Sequence, residues 1–331
     1  MNARLRLVPG GRLTRRGWLR ALLVLLASGA LVLGAAAAAA APGQPPSIRA
    51  GRAPGVADTA RTARTPAASA CNPAASSLRP FGPPQVTPGS FMAKIRARGY
   101  LIAGVDQSTY HFGFLNPLNG QIEGFDIDMV KAVAQAIFGS PGHVVYKSIS
   151  DDQRMPDLEN RSVDIVAYTM TITCARLKQV DFSSVYFDAH QRVLVLKDSP
   201  VQSLAGLRGQ KVCATSGSDS IARIKAAKAV LVPVTYWTDC LVLLQQGDVA
   251  AISTDDTILD GLAAQDPWTK LVGPALTNEP YGLAISRQHP DFVRFVNAVL
   301  QQLRTNGQWA ASYRHWIGTP VAPIPQAQYV G

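Results

Sequence analysis

The chain has 331 residues, of which 47% are hydrophobic, 16% charged and 7% aromatic. This composition supplies a packed core and excludes a disordered or coiled-coil protein. The formal net charge is +10, but residues 1–64 contain ten Arg and one Asp, so they carry +9 and the rest of the chain about +1. A nucleic-acid-binding domain is therefore not expected, because its basic surface would have to lie in that nearly neutral remainder.

The N-terminal segment, residues 1–42, has the layout of an export signal. It begins with an arginine-rich region that includes the twin-arginine-like Thr14-Arg15-Arg16-Gly17-Trp18-Leu19, and residues 21–42 are uncharged. A basic region, an apolar region and small residues such as Ala39-Ala40-Ala41 are typical of a signal peptide. Because the apolar run could also span a bilayer, the alternative is an uncleaved anchor. The sequence predicts an exported protein, periplasmic or at the cell surface.

Residues 43–90 are rich in Pro, Ala, Gly and Ser. Such a segment has little apolar surface to bury, so we interpret it as a tether and expect ordered structure from about Ser90.

The four cysteines, Cys71, Cys174, Cys213 and Cys240, have no C-x-x-C spacing and no histidine nearby in the sequence. We therefore expect neither a zinc site nor another metal, and no cofactor. An even number of cysteines in an oxidising compartment favours two disulfides. Of the three pairings, we favour Cys213–Cys240, close in sequence, and Cys71–Cys174, which would join the tether to the body. The alternative is buried free thiols.

Beyond the tether, short apolar runs alternate with amphipathic segments. The predicted strands cover residues 100–105, 144–146, 163–168, 192–196, 211–214, 232–236, 249–252 and 282–285. The predicted helices cover residues 127–137, 155–160, 220–230, 240–246, 291–306 and 309–316. This alternation indicates an α/β protein with mostly parallel sheets.

Two segments repeat one pattern: Glu159 to Val166 leads into a threonine-rich loop, and Gln245 to Ile252 leads into Ser253-Thr254-Asp255-Asp256-Thr257. Each is a helix end, a turn, a buried strand and then a polar loop. Ligands of open α/β sheets bind at the carboxyl ends of strands. The repeat therefore predicts two lobes that face each other across a cleft, with one polar loop from each.

Several motifs resemble those of family 3 extracellular solute-binding proteins, the polar amino-acid receptors of ABC transporters. They are Gly124-Phe125-Asp126-Ile127-Asp128-Met129, the T-x-T-x-T-x-x-R sequence from Thr169 to Arg176, Val180-Asp181-Phe182-Ser183, Thr254 to Leu259, and Pro280-Tyr281-Gly282. They follow the family's order from about Arg98 to Ile317. The subgroup most similar to them is the glutamate/aspartate/glutamine-binding proteins of actinobacteria.

The resemblance implies a two-lobed periplasmic-binding-protein-like (type II) fold with a two-strand hinge, near His190–Leu196 and Tyr281–Ser286. The implied first lobe is residues 91–193 with 283–320, the second is 194–282, and 321–331 form a tail. The expected function is extracytoplasmic binding of a polar amino acid by lobe closure, with delivery to an ABC permease by a monomer. The alternative is a receptor that signals amino-acid availability to a membrane sensor. An enzyme is not expected, because no nucleophile–base pair stands out.

The resemblance also implies which residues bind the α-carboxylate and the α-ammonium group of the ligand. Arg176 would bind the α-carboxylate through two hydrogen bonds, with Thr169 and Thr171 beside it. The amides of Ser216, Gly217 and Ser218, before a predicted helix, would add an anion site from the second lobe. Asp255 or Asp256 would bind the ammonium group, with Asp255 favoured and the other carboxylate capping the following helix.

Three residues are candidates for reading the ligand side chain. Arg154 matches an arginine of acidic-amino-acid receptors, Asp106 matches an aspartate of a glutamine receptor, and Thr109 would line the pocket. The alternative for Arg154 is a solvated surface residue. The expected ligand order is glutamate or aspartate, then glutamine or asparagine.

Overall fold

The computed structural model describes residues 71–330, so the predicted signal or anchor and most of the predicted tether lie outside it. No helix in the part that is described is long and apolar enough to cross a membrane. The helices are α1 (Phe91–Arg98), α2 (Phe125–Phe138), α3 (Arg154–Glu159), α4 (Ser220–Ala226), α5 (Trp237–Gln245), α6 (Asp256–Gln265), α7 (Pro290–Thr305) and α8 (Gln308–Trp316).

The strands before the second predicted lobe are β1 (Ser77–Leu78), β2 (Leu101–Val105), β3 (Ser108–Thr109), β4 (Gly113–Leu115), β5 (Ile122–Glu123), β6 (Val144–Ser148), β7 (Ile165–Ala167), β8 (Asp181–Phe182) and β9 (Phe187–Ala189). The remaining strands are β10 (Gln191–Leu196), β11 (Lys211–Thr215), β12 (Val230–Val234), β13 (Ala251–Asp255), β14 (Thr269–Val272), β15 (Glu279–Tyr281), β16 (Ala284–Ile285) and β17 (Tyr329–Val330).

Two five-stranded sheets form the centres of two lobes. The first has the order β6-β2-β7-β16-β8 and the second β12-β11-β13-β10-β14. In each sheet the first three strands are parallel, and the last two join by antiparallel pairing. The carboxyl ends of the parallel strands of each lobe carry the polar loops that the repeat predicted.

Apolar periodicity located the main helices of the first lobe. The predicted core face of α2 is fully buried, as is that of α7. These faces comprise Ile127, Val130, Val133, Ala134 and Ile137 in α2, and Phe292, Phe295, Val296, Val299, Leu300 and Leu303 in α7. In the core of the first lobe, α2 packs on β2 and β7, and α7 packs on α2 and β8.

The connection between the lobes is a two-stranded antiparallel sheet of β9 and β15, in which Glu279 pairs with Ala189 and Tyr281 with Phe187. Strand β9 directly precedes the first segment that the sequence indicated for the hinge, and β15 ends at Tyr281, the first residue of the second. Strand β10 pairs entirely within the second sheet, with β13 and β14, so the expected lobe boundary at residue 193 falls inside a strand of the second lobe.

The predicted tether is too long, because residues 71–89 pack on the first lobe. Strand β1 pairs in parallel with β17, which lies in the expected C-terminal tail. The hydroxyl of Ser77 donates to the Phe182 carbonyl at 2.7 Å, and Asn297 Nδ2 donates to the Ser77 hydroxyl at 2.7 Å. These partners are remote in sequence, so the composition of the segment did not reveal them.

Elements of the second lobe are displaced by a few residues from the predicted ones. Helix α4 ends at Ala226 rather than residue 230, because Val230 already pairs with Lys211 in the sheet. Helix α5 begins at Trp237 rather than residue 240, since the Asp239 carboxylate accepts a hydrogen bond from the Tyr236 amide at 3.1 Å and caps the helix. Strand β13 reaches Asp255, so the next helix begins directly at Asp256.

Both favoured disulfides are present: Cys71 is bonded to Cys174 and Cys213 to Cys240. The first spans 103 residues of sequence and ties residue 71 to the loop that carries Arg176. The second spans 27 residues and lies in the buried core of the second lobe.

Replacing Cys71 and Cys174 together by alanine is expected to lower the free energy of unfolding by about 2–4 kcal/mol. The bond closes a long loop and so restricts the unfolded chain, whereas the two side chains are not part of the apolar core. Denaturant titration under oxidising conditions measures the change, with thiol titration to verify that the second disulfide is intact. An unchanged unfolding midpoint would contradict this role.

Candidate functional site

The loop after β7 carries the threonines and the arginine of the predicted site, and Asp126 at the start of α2 holds it in place. Thr169 has a left-handed backbone conformation with φ +42°. Its amide donates to Asp126 Oδ2 at 2.7 Å, and the Tyr186 hydroxyl donates to Asp126 Oδ1 at 2.5 Å. Burial raises the pKa of the Asp126 carboxyl to about 7. The Asp of the Gly-Phe-Asp motif therefore positions the ligand loop rather than binding ligand.

Arg176 lies buried between the two lobes rather than in solvent. Its Nη1 donates to the Thr171 carbonyl at 2.7 Å, and its Nη2 lies 3.4 Å from both the Gly217 carbonyl and Asp219 Oδ1. Burial lowers the pKa of its guanidinium. The first contact is within the first lobe and the others reach the second, so the guanidinium lies where the two lobes meet.

Arg154 is buried as well, but Asp151 neutralises its charge. Arg154 Nη2 lies 2.6 Å from Asp151 Oδ1, and its Nε donates to the Asp151 carbonyl at 2.8 Å. The other carboxylate oxygen, Asp151 Oδ2, accepts a hydrogen bond from the Thr215 hydroxyl of the second lobe at 2.7 Å. Arg154 is thus neither a solvated surface residue nor an unpaired cation in the cleft, which removes the main argument for an acidic ligand.

Asp106 and Thr109 bond to each other and to their own turn. Asp106 Oδ1 accepts from the amides of Gln107 at 2.7 Å and Ser108 at 2.8 Å, and Oδ2 accepts from the Thr109 hydroxyl at 2.5 Å. Burial raises the pKa of the Asp106 carboxyl although these bonds favour its charged form. Both side chains therefore stabilise the turn that leads into β3, and these bonds engage them within the turn rather than with a side-chain amide of a ligand.

The second-lobe loop before α4 differs from the expected anion site. The Ser216 amide donates to the Val234 carbonyl at 2.8 Å and the Ser218 amide to the Thr215 carbonyl at 3.2 Å, so both are already bonded. Gly217 instead presents its carbonyl, which accepts from Arg176 and, at 3.2 Å, from Arg154. The loop begins a helix of only seven residues. Its role here is to contact the two arginines.

The two adjacent aspartates of the second lobe, Asp255 and Asp256, have different hydrogen-bond partners. Asp255 is buried, and its Oδ2 accepts from the Tyr281 hydroxyl at 2.6 Å. Asp256 is the first residue of α6, and its Oδ1 accepts from the amides of Thr257 at 2.9 Å and His190 at 3.0 Å. The N-cap position of α6 belongs to Asp255, which makes no side-chain cap bond, so the expected capping of the helix by Asp256 is wrong and this carboxylate contacts the connection between the lobes instead. Of the two, Asp255 is therefore the buried carboxylate.

Sequence reasoning missed three groups next to Asp255. Burial, followed by the charges of Asp219 and Glu279, raises the pKa of Asp255 well above its usual range, so all three carboxyls interact. Tyr281 supplies the hydroxyl that binds Asp255, and the Pro280-Tyr281-Gly282 motif was the available signal for it. No local pattern marked Asp219 or Glu279, because their neighbours come from distant parts of the chain.

Comparison with known proteins agrees with this architecture. The family described as "Bacterial extracellular solute-binding proteins, family 3" matches residues 101–319. The "ABC transporter glutamine-binding protein GlnH" of Bacillus subtilis is 37% identical over 229 residues, which cover 68% of this chain and 84% of the relative. The "Glutamate-binding protein GluB" of Corynebacterium efficiens is 29% identical over 225 residues, covering 64% and 76%.

Among solved structures, an ancestral arginine-binding protein bound to glutamine has a TM-score of 0.63 at 33% identity, covering 67% of this chain and 99% of the other. The expected two-lobed fold is confirmed by such neighbours. The relatives are solute-binding proteins rather than enzymes. The chain therefore belongs to the bacterial extracellular solute-binding proteins of family 3.

Proposed function

We propose that this amino-acid solute-binding protein of ABC transport binds glutamine between its lobes, with asparagine next and the acidic amino acids after them. Arg176 binds the α-carboxylate and Asp255 the α-ammonium group, as the buried positions of both side chains support. Lobe closure around the ligand shifts the open–closed equilibrium by the differential affinity of the two states. The closed protein delivers its ligand to the permease of an ABC importer outside the cytoplasm, as a monomer.

The observation that carries the order of ligands is the ion pair between Arg154 and Asp151, at 2.6 Å with both side chains 4% exposed. An arginine neutralised in this way does not compensate the side-chain carboxylate of glutamate. Asp219, which is paired with Arg176, interacts with Asp255 and Glu279, and these three carboxyls would repel a second negative charge. The order derived from the sequence placed glutamate and aspartate first, because it took Arg154 as free to contact the ligand.

The comparisons support the same order. The relative named as a glutamine-binding protein is 37% identical to this chain, and the relative named as a glutamate-binding protein is 29% identical. A neutral side-chain amide also leaves the bound zwitterion without net charge, which suits a site that already contains an excess of carboxylates.

A thermal-shift screen with glutamine, asparagine, glutamate, aspartate and arginine tests this proposal. Ligand at 100 times its Kd stabilises the folded state by about 2.7 kcal/mol, which raises the Tm of a protein of this size by about 5–10 °C. We expect the largest shift with glutamine. A larger shift with glutamate would contradict the ligand order, and no shift with any of the five would contradict the binding function.

A further inference from the structure

Glu279 is a buried carboxylate on the strand that connects the two lobes, 7% exposed. It lies in β15, two residues before Tyr281. Side chains two residues apart in a strand point to the same side. The Tyr281 hydroxyl donates to Asp255 Oδ2 at 2.6 Å, so Glu279 is on the side of β15 that faces the expected ammonium site.

Glu279 forms an acidic group with Asp219 and Asp255. Burial, then the charge of Asp219 and a hydrogen bond with it, raise the pKa of Glu279 to about 7. Arg176 Nη2 lies 3.4 Å from Asp219 Oδ1, whereas neither Asp255 nor Glu279 has an ion pair within residues 71–330. Three carboxyls therefore share the charge of one guanidinium, and the group is suited to an additional cation.

An unpartnered hydroxyl beside this group also indicates a ligand. Thr171 Oγ1 is buried and has no hydrogen-bond partner of normal geometry in the part of the chain that the structure describes. Thr171 pairs with Tyr281 in an isolated bridge, so this hydroxyl lies beside the strand that carries Glu279. A buried polar atom without a partner destabilises the protein, so a ligand that supplies the partner is favoured.

We propose that Glu279 is a specificity-determining residue, whose carboxylate contacts the ligand's α-ammonium group together with Asp255 and disfavours ligands that carry a second carboxylate. This inference rests on the proposed function, because it deepens the assignment of the same cleft. It explains how a site with two arginines selects a neutral side chain: Asp151 neutralises Arg154, and Glu279 adds a carboxylate to the group that already contains Asp219 and Asp255.

The charged groups around Glu279 determine how the affinity of the protein for glutamine depends on pH. The acidic groups are Asp219, before α4, and Asp255 and Asp256, at the start of α6. The basic groups are Arg176, after β7, which is paired with Asp219, and His190, after β9, which lies 3.4 Å from Asp256. An ammonium group favours the ionised form of Glu279, so binding to the protonated protein releases a proton. Glutamine affinity is therefore highest above pH 7 and falls below it, by up to about tenfold per pH unit.

Calorimetric titration of the full chain with glutamine and with glutamate, from pH 6 to 8.5, tests the proposal on wild type and Glu279→Gln. We expect the preference for glutamine over glutamate to fall about tenfold in Glu279→Gln, because a like charge opposite the second carboxylate is removed. The decline of glutamine affinity below pH 7 is expected to become shallower. Glu159→Gln, an exposed acid at the end of α3, is the matched control and keeps both properties of wild type.

Asp219→Asn provides a second variant should Glu279→Gln fail to fold, and it is expected to reduce the same preference. Wild-type preference and wild-type pH dependence in a folded Glu279→Gln protein that binds glutamine would overturn the inference alone. If wild type bound neither glutamine nor glutamate, the proposed function itself would be overturned.

Discussion

Replacing Arg176 by lysine is expected to weaken glutamine binding about 100-fold. Lysine keeps the positive charge but cannot make two parallel hydrogen bonds to a carboxylate while also reaching the Thr171 carbonyl, which Arg176 contacts at 2.7 Å. A hydrogen bond to a charged group contributes about 1.5–3 kcal/mol, and the loss of one or two such bonds gives this factor. Calorimetry measures the Kd, and circular dichroism checks that the variant is folded.

Arg223→Lys is the matched control, because Arg223 is exposed on α4. It is expected to bind glutamine as wild type does. Wild-type affinity in folded Arg176→Lys would show that the guanidinium does not bind the ligand carboxylate, and the assignment of the cleft would then be wrong.

Replacing Gly261 by alanine is expected to stabilise the ligand-free protein and to weaken glutamine binding. Gly261 lies inside α6 of the second lobe, and a Cβ there would come within 2.7 Å of the Tyr110 carbonyl oxygen of the first lobe. In an open protein, alanine favours the helix over glycine by about 1 kcal/mol. In the closed protein, the contact must be relieved at a cost of about 1–3 kcal/mol, so the Kd rises roughly 5- to 150-fold.

This variant is informative about lobe closure because its stability without ligand is expected to rise while its affinity for glutamine falls. Thermal unfolding without ligand and calorimetry with glutamine measure them separately. Gly206→Ala is the control in the same lobe, because a Cβ at Gly206 meets no atom within 4 Å. If Gly261→Ala bound glutamine as tightly as wild type, the approach of α6 to Tyr110 would not belong to the bound state.

The parts of the fold that sequence could predict are those encoded by local periodicity. Helices α2 and α7 were located because their apolar residues recur on one face, and both faces are buried. The packing of residues 71–89 could not be predicted, since it depends on Asn297 and on the pairing of β1 with β17, both more than 200 residues away.

The same distinction applies to the site. Arg176 and Asp255 could be proposed as site residues because each stands in a recognisable motif, Arg176 in the loop after β7 and Asp255 at the end of β13. Arg154 was singled out and Asp151 lies only three residues before it, but the burial of this pair was not expected, because Thr215 of the other lobe contacts the same carboxylate. Glu279 was missed because burial and Asp219, rather than its sequence neighbours, determine its properties.

A crystal structure of the protein with glutamine tests the central claim most directly. We predict glutamine between the lobes, its α-carboxylate on the Arg176 guanidinium and its ammonium group on Asp255. Glutamine bound elsewhere, with Arg176 still contacting only Thr171, Gly217 and Asp219, would contradict it.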